Sequence, residues 1–174
     1  MKMLTTNKMT RREMIRASCR GSVIAAALGI IGAPSRAQAL SAWQAGTIVN
    51  AARSKLGLPY QENATNIAVG TDCSLLTQWS YQRAGISIPR NSRDQYAACR
   101  LCVSPLWYRG ALLFFRDTDS RFPPGTITHV AISCGDGVSM VSANSVPTPG
   151  KVVLVSWWNN SYWRPRFVTA AVPW

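Results

Sequence analysis

The hydrophobic pattern of the chain changes at Gly110, and this change limits the folds that the sequence can adopt. Before Gly110, apolar residues recur at three- and four-residue spacing, which is typical of helices with one buried face. After it, apolar residues form short runs rich in β-branched and aromatic side chains, which is typical of strands. Helices followed by strands predict an α+β domain in which a small antiparallel sheet packs against the helices.

Capping and turn residues indicate where individual elements begin and end. Asp72 is a suitable N-cap for a helix that begins at Cys73, and Gly57 and Gly85 would end the first two helices. The run Gly135-Asp-Gly137 predicts a hairpin turn between two strands. The predicted helices span residues 41–56, 73–84 and 92–99, and the predicted strands span residues 111–115, 128–134, 138–143, 152–158 and 162–170.

Residues 1–39 have the pattern of an export signal. The pair Arg11-Arg12 precedes an apolar run over residues 22–31, and Ala37-Gln-Ala39 has the small-x-small form of a cleavage site. The twin arginine indicates the twin-arginine route, with cleavage after Ala39 and export to the periplasm or the medium. An uncleaved anchor is the alternative, but the apolar run is shorter than the ~20 residues that span a bilayer.

Removing this segment leaves one domain, residues 40–174, and lowers the charge. The full chain has 19 Lys+Arg and 7 Asp+Glu, a net charge of +12. Seven of the basic residues and one acidic residue lie in residues 1–39, so residues 40–174 keep 12 basic and 6 acidic residues, a net charge of +6. This balance suits anionic surroundings such as a cell envelope. No basic stripe or RNA-binding motif is visible, so we expect no nucleic-acid partner. We also expect no membrane span after cleavage.

Cys73 and His129 are the residues best suited to covalent chemistry. His129 is the only histidine and lies in a predicted strand, whereas Cys73 lies where a helix begins. The thiolate is the nucleophilic form of cysteine, and a helix N-terminus and a nearby imidazole both favour it. The pair fits a cysteine hydrolase. A structural histidine and an inert buried cysteine fit the same pattern.

Three further cysteines, Cys99, Cys102 and Cys134, have two interpretations. In an oxidising compartment a disulfide would form between Cys99 and Cys102, or from one of them to Cys134. Together with His129 they also supply four ligands of the kind that zinc binds, but a second paired motif is missing from the spacing. We expect no metal and no cofactor, and the disulfide pairing stays open.

Seven short motifs follow one another over nearly the whole of residues 40–174. They are Leu56-Gly-Leu-Pro-Tyr60, Asp72-Cys73-Ser74, Ala84-Gly-Ile-Ser-Ile-Pro-Arg90-Asn-Ser-Arg-Asp-Gln95, Gly110-Ala-Leu-Leu-Phe-Phe115, His129-Val-Ala-Ile132, Gly135-Asp-Gly137 and Tyr162-Trp-Arg-Pro-Arg-Phe167. Each motif alone is weak. Their ordered combination resembles the NlpC/P60 family of cell-wall cysteine peptidases.

The resemblance implies a papain-like α+β fold and hydrolysis of peptide bonds in peptidoglycan stem peptides, typically between γ-D-glutamate and the diamino acid. It implies that Cys73 is the nucleophile and His129 the general base. The third residue of the family, usually His, Asn or Gln, orients the imidazole and falls here on Ser142. Asn144 lies two residues further along the same strand face and is the alternative orienting residue.

The same resemblance implies roles for three more residues. Tyr60 would lie beside the nucleophile, and Asp72 and Ser74 would hold the free amine of a stem peptide. The partner would be peptidoglycan or a murein peptide, and the protein would be a periplasmic or secreted monomer. Three alternatives remain: an amidase or acyltransferase that uses the same cysteine and histidine, a non-catalytic envelope-binding protein, and a zinc-stabilised binding module.

Overall fold

The computed structural model describes residues 39–102, 108–146 and 148–173. The predicted signal peptide, apart from Ala39, therefore lies outside the described residues. No helix in the described part of the chain is long and apolar enough to cross a membrane. The helices there are α1 (Ala42–Arg53), α2 (Cys73–Arg83) and α3 (Ser92–Ala98), and the strands are β1 (Cys99–Cys102), β2 (Leu112–Arg116), β3 (Ile127–Ser133), β4 (Ser139–Asn144), β5 (Lys151–Ser156) and β6 (Phe167–Pro173).

A capping box at Ser41 starts helix α1. The Ser41 hydroxyl accepts a hydrogen bond from the Gln44 backbone N–H at 3.1 Å, and the Gln44 side chain accepts one from the Ser41 N–H at 2.9 Å. Ile48 and Val49 lie on its buried face. The helix ends at Arg53, three residues before the predicted end, because residues 54–57 form a turn that finishes at Gly57 with φ +86°.

Helix α2 lies at the centre of the domain and is buried on most sides. The Asp72 carboxylate caps it by accepting the Leu75 N–H at 2.8 Å. Leu76 is fully buried, and the Tyr81 hydroxyl donates to the Gly110 carbonyl at 2.7 Å. These contacts hold the helix start, and therefore Cys73, at one position against the sheet.

The six strands form one antiparallel sheet in the order β1-β6-β2-β3-β4-β5. Strand β3 lies inside the sheet between β2 and β4, and His129 on β3 lies opposite Phe115 on β2. Val130 and Ile132 of β3 join Leu76 of α2 in one buried cluster. This arrangement confirms the predicted α+β architecture, with helix α2 packed against the sheet.

Strands β1 and β6, which pair with each other at one edge of the sheet, differ from the prediction. Residues Arg164–Arg166 form a short 3₁₀ helix, so the last strand begins at Phe167 and not at residue 162. Pro165 explains this shift, since proline has no N–H for a strand ladder and suits a helical start. Strand β1 is not expected from the sequence, because its four residues follow α3 directly and are too few to show a period of two.

The predicted hairpin turn between β3 and β4 is confirmed. Gly135 and Gly137 adopt φ values of +83° and +74°, which favour glycine. The Asp136 carboxylate accepts the backbone N–H groups of Val138 and Ser139 at 2.9 and 2.6 Å. The turn therefore connects the two strands that carry His129 and the predicted orienting residues.

Gly135→Ala should destabilise the domain more than Gly57→Ala does. Both glycines have positive φ, which costs a residue with a Cβ about 1–2 kcal/mol. A Cβ at Gly135 would also lie 2.7 Å from the Arg109 Cβ, whereas nothing lies within 4 Å of one at Gly57. We expect losses of about 2–4 and about 1–2 kcal/mol in the free energy of unfolding, measured by urea denaturation. Equal losses would contradict the close packing of this turn.

Candidate active site

Cys73 is the first residue of α2, and its thiol is buried. Burial raises the pKa of the Cys73 thiol to about 11. The nearby backbone N–H groups of Val130 and Ser74 lower this pKa, but their effect is smaller than that of burial. The resting side chain is therefore a thiol that lies beside the strand carrying the histidine.

His129 lies on β3 with 7% of its surface exposed. Burial lowers the pKa of the imidazole to about 3, because desolvation disfavours its charged form. The centroid of the Trp163 ring lies 4.8 Å from that of the imidazole, and the Phe115 ring centroid lies 6.0 Å away. These aromatic rings enclose the histidine and keep it neutral at rest.

Ser142 and Asn144 lie at alternate positions of β4 and form a chain of hydrogen bonds that ends at His129. The His129 Nε2 lies 2.8 Å from the Ser142 Oγ. The Ser142 hydroxyl donates to the Asn144 Oδ1 at 2.6 Å. Of the two orienting residues considered from the sequence, Ser142 contacts the imidazole directly and Asn144 contacts Ser142.

A thiol and an imidazole that are both neutral can exchange a proton only when the charges formed are stabilised. In a buried site an isolated charge is costly, but a thiolate and an imidazolium formed together attract each other strongly. Proton transfer from Cys73 to His129 would form both charges together, so that each offsets part of the cost of burying the other. The arrangement suits nucleophilic catalysis assisted by a general base.

Cys73 and His129 line one cavity of about 290 Å³. Polar and aromatic side chains from several loops and strands complete its wall. A cavity of this size, with a thiol and an imidazole in its wall, fits a short segment of a peptide better than a whole folded protein. Other lining residues are Tyr60, Glu62, Arg121, Asn144, Tyr162 and Trp163.

Tyr60 lines the same cavity as Cys73. Its side chain is half-buried, and this burial raises the pKa of the phenol. The nearness of Cys73 raises it further. Tyr60 therefore stays protonated and keeps a hydroxyl donor close to the thiol.

Asp72 and Ser74 are not among the residues that line this cavity, and the side chains of both bond to Arg90. The Arg90 Nη2 lies 2.5 Å from the Asp72 Oδ2, and its Nη1 lies 3.0 Å from the Asp72 Oδ1. The same Nη1 donates to the Ser74 Oγ at 2.8 Å. Both side chains are therefore engaged by Arg90 in this structure, and their role as ligands of a free substrate amine stays a prediction. Arg90 lies in the motif over residues 84–95, but nothing in that motif indicates that it pairs with Asp72.

An ion-pair cluster at the cavity rim is a second feature that sequence patterns do not indicate. The Arg121 Nη2 lies 2.5 Å from the Glu62 Oε1 and 2.7 Å from the Asp119 Oδ2. It joins two loops whose residues are 59 positions apart. Both loops lack a hydrophobic period, so no pattern could have placed these charges together.

Cys99 and Cys134 are not among the described residues that line the cavity. Cys134 is half-buried and carries a free thiol. The side chain of Cys102 lies outside the described part of the chain. The disulfides considered for Cys102, with Cys99 or Cys134, therefore stay open. Among the described residues, no group of three His, Cys, Asp or Glu side chains is arranged to hold a metal ion.

The stability of the domain should rise with pH between about 4.5 and 6.5. The folded pKa of His129 is about 3 and its ordinary value is 6.5, so in this range the unfolded chain binds the additional proton. The free energy of unfolding should fall on acidification with a slope that approaches ~1.4 kcal/mol per pH unit. Because His129 is the only histidine, His129→Gln should remove this slope. Denaturation curves of equal slope for both proteins would contradict a neutral, buried imidazole.

Arg90→Ala should destabilise the domain by about 1–3 kcal/mol, because the variant leaves the buried Asp72 carboxylate without its ion pair. Arg93→Ala is the matched control, since Arg93 is exposed and its guanidinium lies over the Phe122 ring. We expect the control to change the free energy of unfolding by less than about 1 kcal/mol. Similar losses in both variants, measured by urea denaturation, would show that the Asp72–Arg90 pair contributes nothing specific.

Curated and solved proteins are similar to this chain over most of its described length. The chain is 32% identical over 123 residues to the bifunctional muramidase/DL-endopeptidase CwlT of Bacillus subtilis, covering 71% of this chain and 35% of CwlT. A Staphylococcus aureus protein described as similar to a lipoprotein of the NLP/P60 family superposes with a TM-score of 0.66 and 28% identity. That match covers 79% of this chain and 43% of the other.

A second similar structure is that of the peptidoglycan hydrolase RipB from Mycobacterium tuberculosis. It superposes with a TM-score of 0.55 and 26% identity, over 75% of this chain and 64% of RipB. The chain thus spans less than two thirds of the length of each of these three proteins. The superpositions confirm the papain-like α+β fold that the motifs imply.

The model of the NlpC/P60 family matches residues 57–172, which include both Cys73 and His129. This match covers well over half of the chain and contains every motif from Asp72-Cys73-Ser74 onward. The family match and the superposed structures agree. The chain belongs to the NlpC/P60 family.

Proposed function

We propose that residues 40–174 form a cysteine endopeptidase that hydrolyses peptide bonds in peptidoglycan stem peptides. The observation that carries this proposal is the cavity in which Cys73, at a helix start, and His129, held through Nε2, lie together. A nucleophile, a base and a residue that orients the base are the minimum set for acyl transfer to a thiol. The bond that we propose is the one between γ-D-glutamate and the diamino acid.

In the proposed reaction, His129 accepts the proton of the Cys73 thiol as the sulfur attacks the scissile carbonyl carbon. The carbonyl oxygen becomes an oxyanion, for which the backbone N–H of Cys73 at the start of α2 is a donor. As the intermediate collapses, the C–N bond breaks and the imidazolium protonates the leaving amine. Water, deprotonated by His129, then attacks the thioester, which releases the acid and restores the thiol.

The similar proteins support the choice of substrate. CwlT is named a DL-endopeptidase and RipB a peptidoglycan hydrolase. The cavity wall fits this class of substrate, because it offers several polar groups to the backbone and charged groups of a short peptide. The net charge of +6 on residues 40–174 would favour an anionic cell wall.

The proposal includes export from the cytoplasm. Residues 1–39 would form a twin-arginine signal peptide that is cleaved after Ala39, and the remaining domain would act as a monomer in the periplasm or outside the cell. The pair Arg11-Arg12 and the run Ala37-Gln-Ala39 support this part of the proposal. Peptidoglycan lies outside the cytoplasmic membrane, so export and substrate agree.

The test is product analysis by mass spectrometry after incubation of the full chain with purified peptidoglycan fragments under mild reductant. We expect cleavage after γ-D-glutamate, and a loss of at least ~10⁴-fold in Cys73→Ala, because no other thiol lies in the described cavity wall. Cys134→Ala, which removes a half-buried thiol elsewhere, should keep full activity.

Two results would contradict the proposal. Release of an intact stem peptide from the glycan, or transfer of an acyl group to another amine, would identify an amidase or an acyltransferase that uses the same residues. Unchanged fragments after incubation with a protein whose Cys73 thiol reacts with iodoacetamide would indicate a binding protein without turnover.

A further inference from the structure

We infer that Asn144 is a positioning residue for His129, acting through Ser142. The Asn144 carboxamide oxygen holds the Ser142 hydroxyl proton, so that the Ser142 oxygen must accept the proton of His129 Nε2, which leaves Nδ1 as the basic nitrogen. Calling Nδ1 the base for Cys73 rests on the proposed function. The tautomer itself does not depend on that function.

The Ser142 hydroxyl takes part in two hydrogen bonds, one with Asn144 and one with His129, but has only one proton. A serine hydroxyl has one proton and can donate only one hydrogen bond. In this structure that bond is directed to the Asn144 Oδ1 at 2.6 Å. The contact of 2.8 Å between Ser142 Oγ and His129 Nε2 must then use a proton on the imidazole.

Burial of Ser142 makes its two hydrogen bonds select one tautomer of His129. Ser142 is fully buried, and the two hydrogen bonds above are those its hydroxyl makes among the described residues. The Trp163 ring, whose plane is tilted by 37° from that of the imidazole, also covers His129. In such surroundings an unmade hydrogen bond costs about 1–3 kcal/mol, so the tautomer that satisfies both bonds is strongly preferred.

Ser142 alone could not select a tautomer. A lone hydroxyl donates to an unprotonated ring nitrogen as readily as it accepts from a protonated one. The Asn144 oxygen removes this choice, because it can only accept. When His129 becomes charged during proton transfer, the same two bonds stay in place and polarise toward Asn144, which stabilises the imidazolium.

The tautomer can be measured directly, because His129 is the only histidine of the chain. The full chain, produced without a histidine tag and labelled with ¹⁵N-histidine, would give one imidazole spin system near neutral pH. The protonated and unprotonated nitrogens of a neutral imidazole have well separated ¹⁵N shifts. We expect the wild type to carry its proton on Nε2.

Two substitutions at position 144 test the role of its oxygen. Asn144→Asp keeps an acceptor in place and cannot donate when ionised, so the proton should stay on Nε2. In Asn144→Ala the Ser142 hydroxyl becomes free to donate to Nε2, and the Nδ1–H tautomer should appear. Asn159→Ala, at an exposed asparagine in the turn after β5, should leave the spectrum unchanged.

Kinetics on the same variants separate a positioning role from a structural one. We expect kcat to fall about 10- to 100-fold in Asn144→Ala and by at least that factor in Ser142→Ala, with recovery in Asn144→Asp. If the two residues act in series, the double variant Ser142→Ala/Asn144→Ala should lose no more than Ser142→Ala alone.

A proton on Nδ1 in the wild type that moves to Nε2 in Asn144→Asp would show that the amide of Asn144 donates to Ser142, and would overturn the inference. An Nε2 proton that persists in Asn144→Ala would overturn it as well. If the wild type cleaves no peptidoglycan but shows the expected tautomers, the proposed function fails while the positioning role of Asn144 stands.

Discussion

The ion pair between Asp72 and Arg90 holds together the part of the domain on which the site depends. The Asp72 carboxylate caps helix α2 through Leu75 and accepts the Ser74 hydroxyl, while Arg90 pairs with both of its oxygens. The Arg90 Nη2 also donates to the Ala64 carbonyl at 2.6 Å. One pair of charges therefore joins the helix start, the loop before it and the segment that leads into α3. The position of the nucleophile is set by these contacts.

Burial of Cys73 and His129 determines the charge of both side chains. The aromatic rings around His129 and the burial of Cys73 hold both groups in their uncharged forms at rest. In the reaction that we propose, the mutual attraction of the two charges offsets part of the cost of forming them in this buried site. Such a site keeps its thiol less reactive toward small electrophiles, since free thiolate is scarce in the resting state.

Much of the fold can be predicted from the sequence, because caps and periodicity are local. Ser41 and Asp72 mark two helix starts, and Gly135 and Gly137 mark the hairpin. Pro165 shifts the last strand, and this shift depends on a turn that hydrophobic periodicity does not show.

The site is predictable only where a motif carries it. Cys73 and His129 are found through their motifs and share one cavity. The partners of Asp72 and of Arg121 arise from side chains that reach across loops, and no sequence spacing encodes such contacts.

The two-residue spacing between Ser142 and Asn144 has a consequence for comparing proteins of this fold. On a strand, residues two apart point to the same side, so a small side chain at one position and a longer one at the next can together span the distance that a single larger side chain would cover. A column-by-column inspection of aligned sequences would find Ser142 where His, Asn or Gln is usual, and would conclude that the orienting residue is missing. If Asn144 positions His129 through Ser142, as we infer, the role of one alignment column is divided between two positions of this strand.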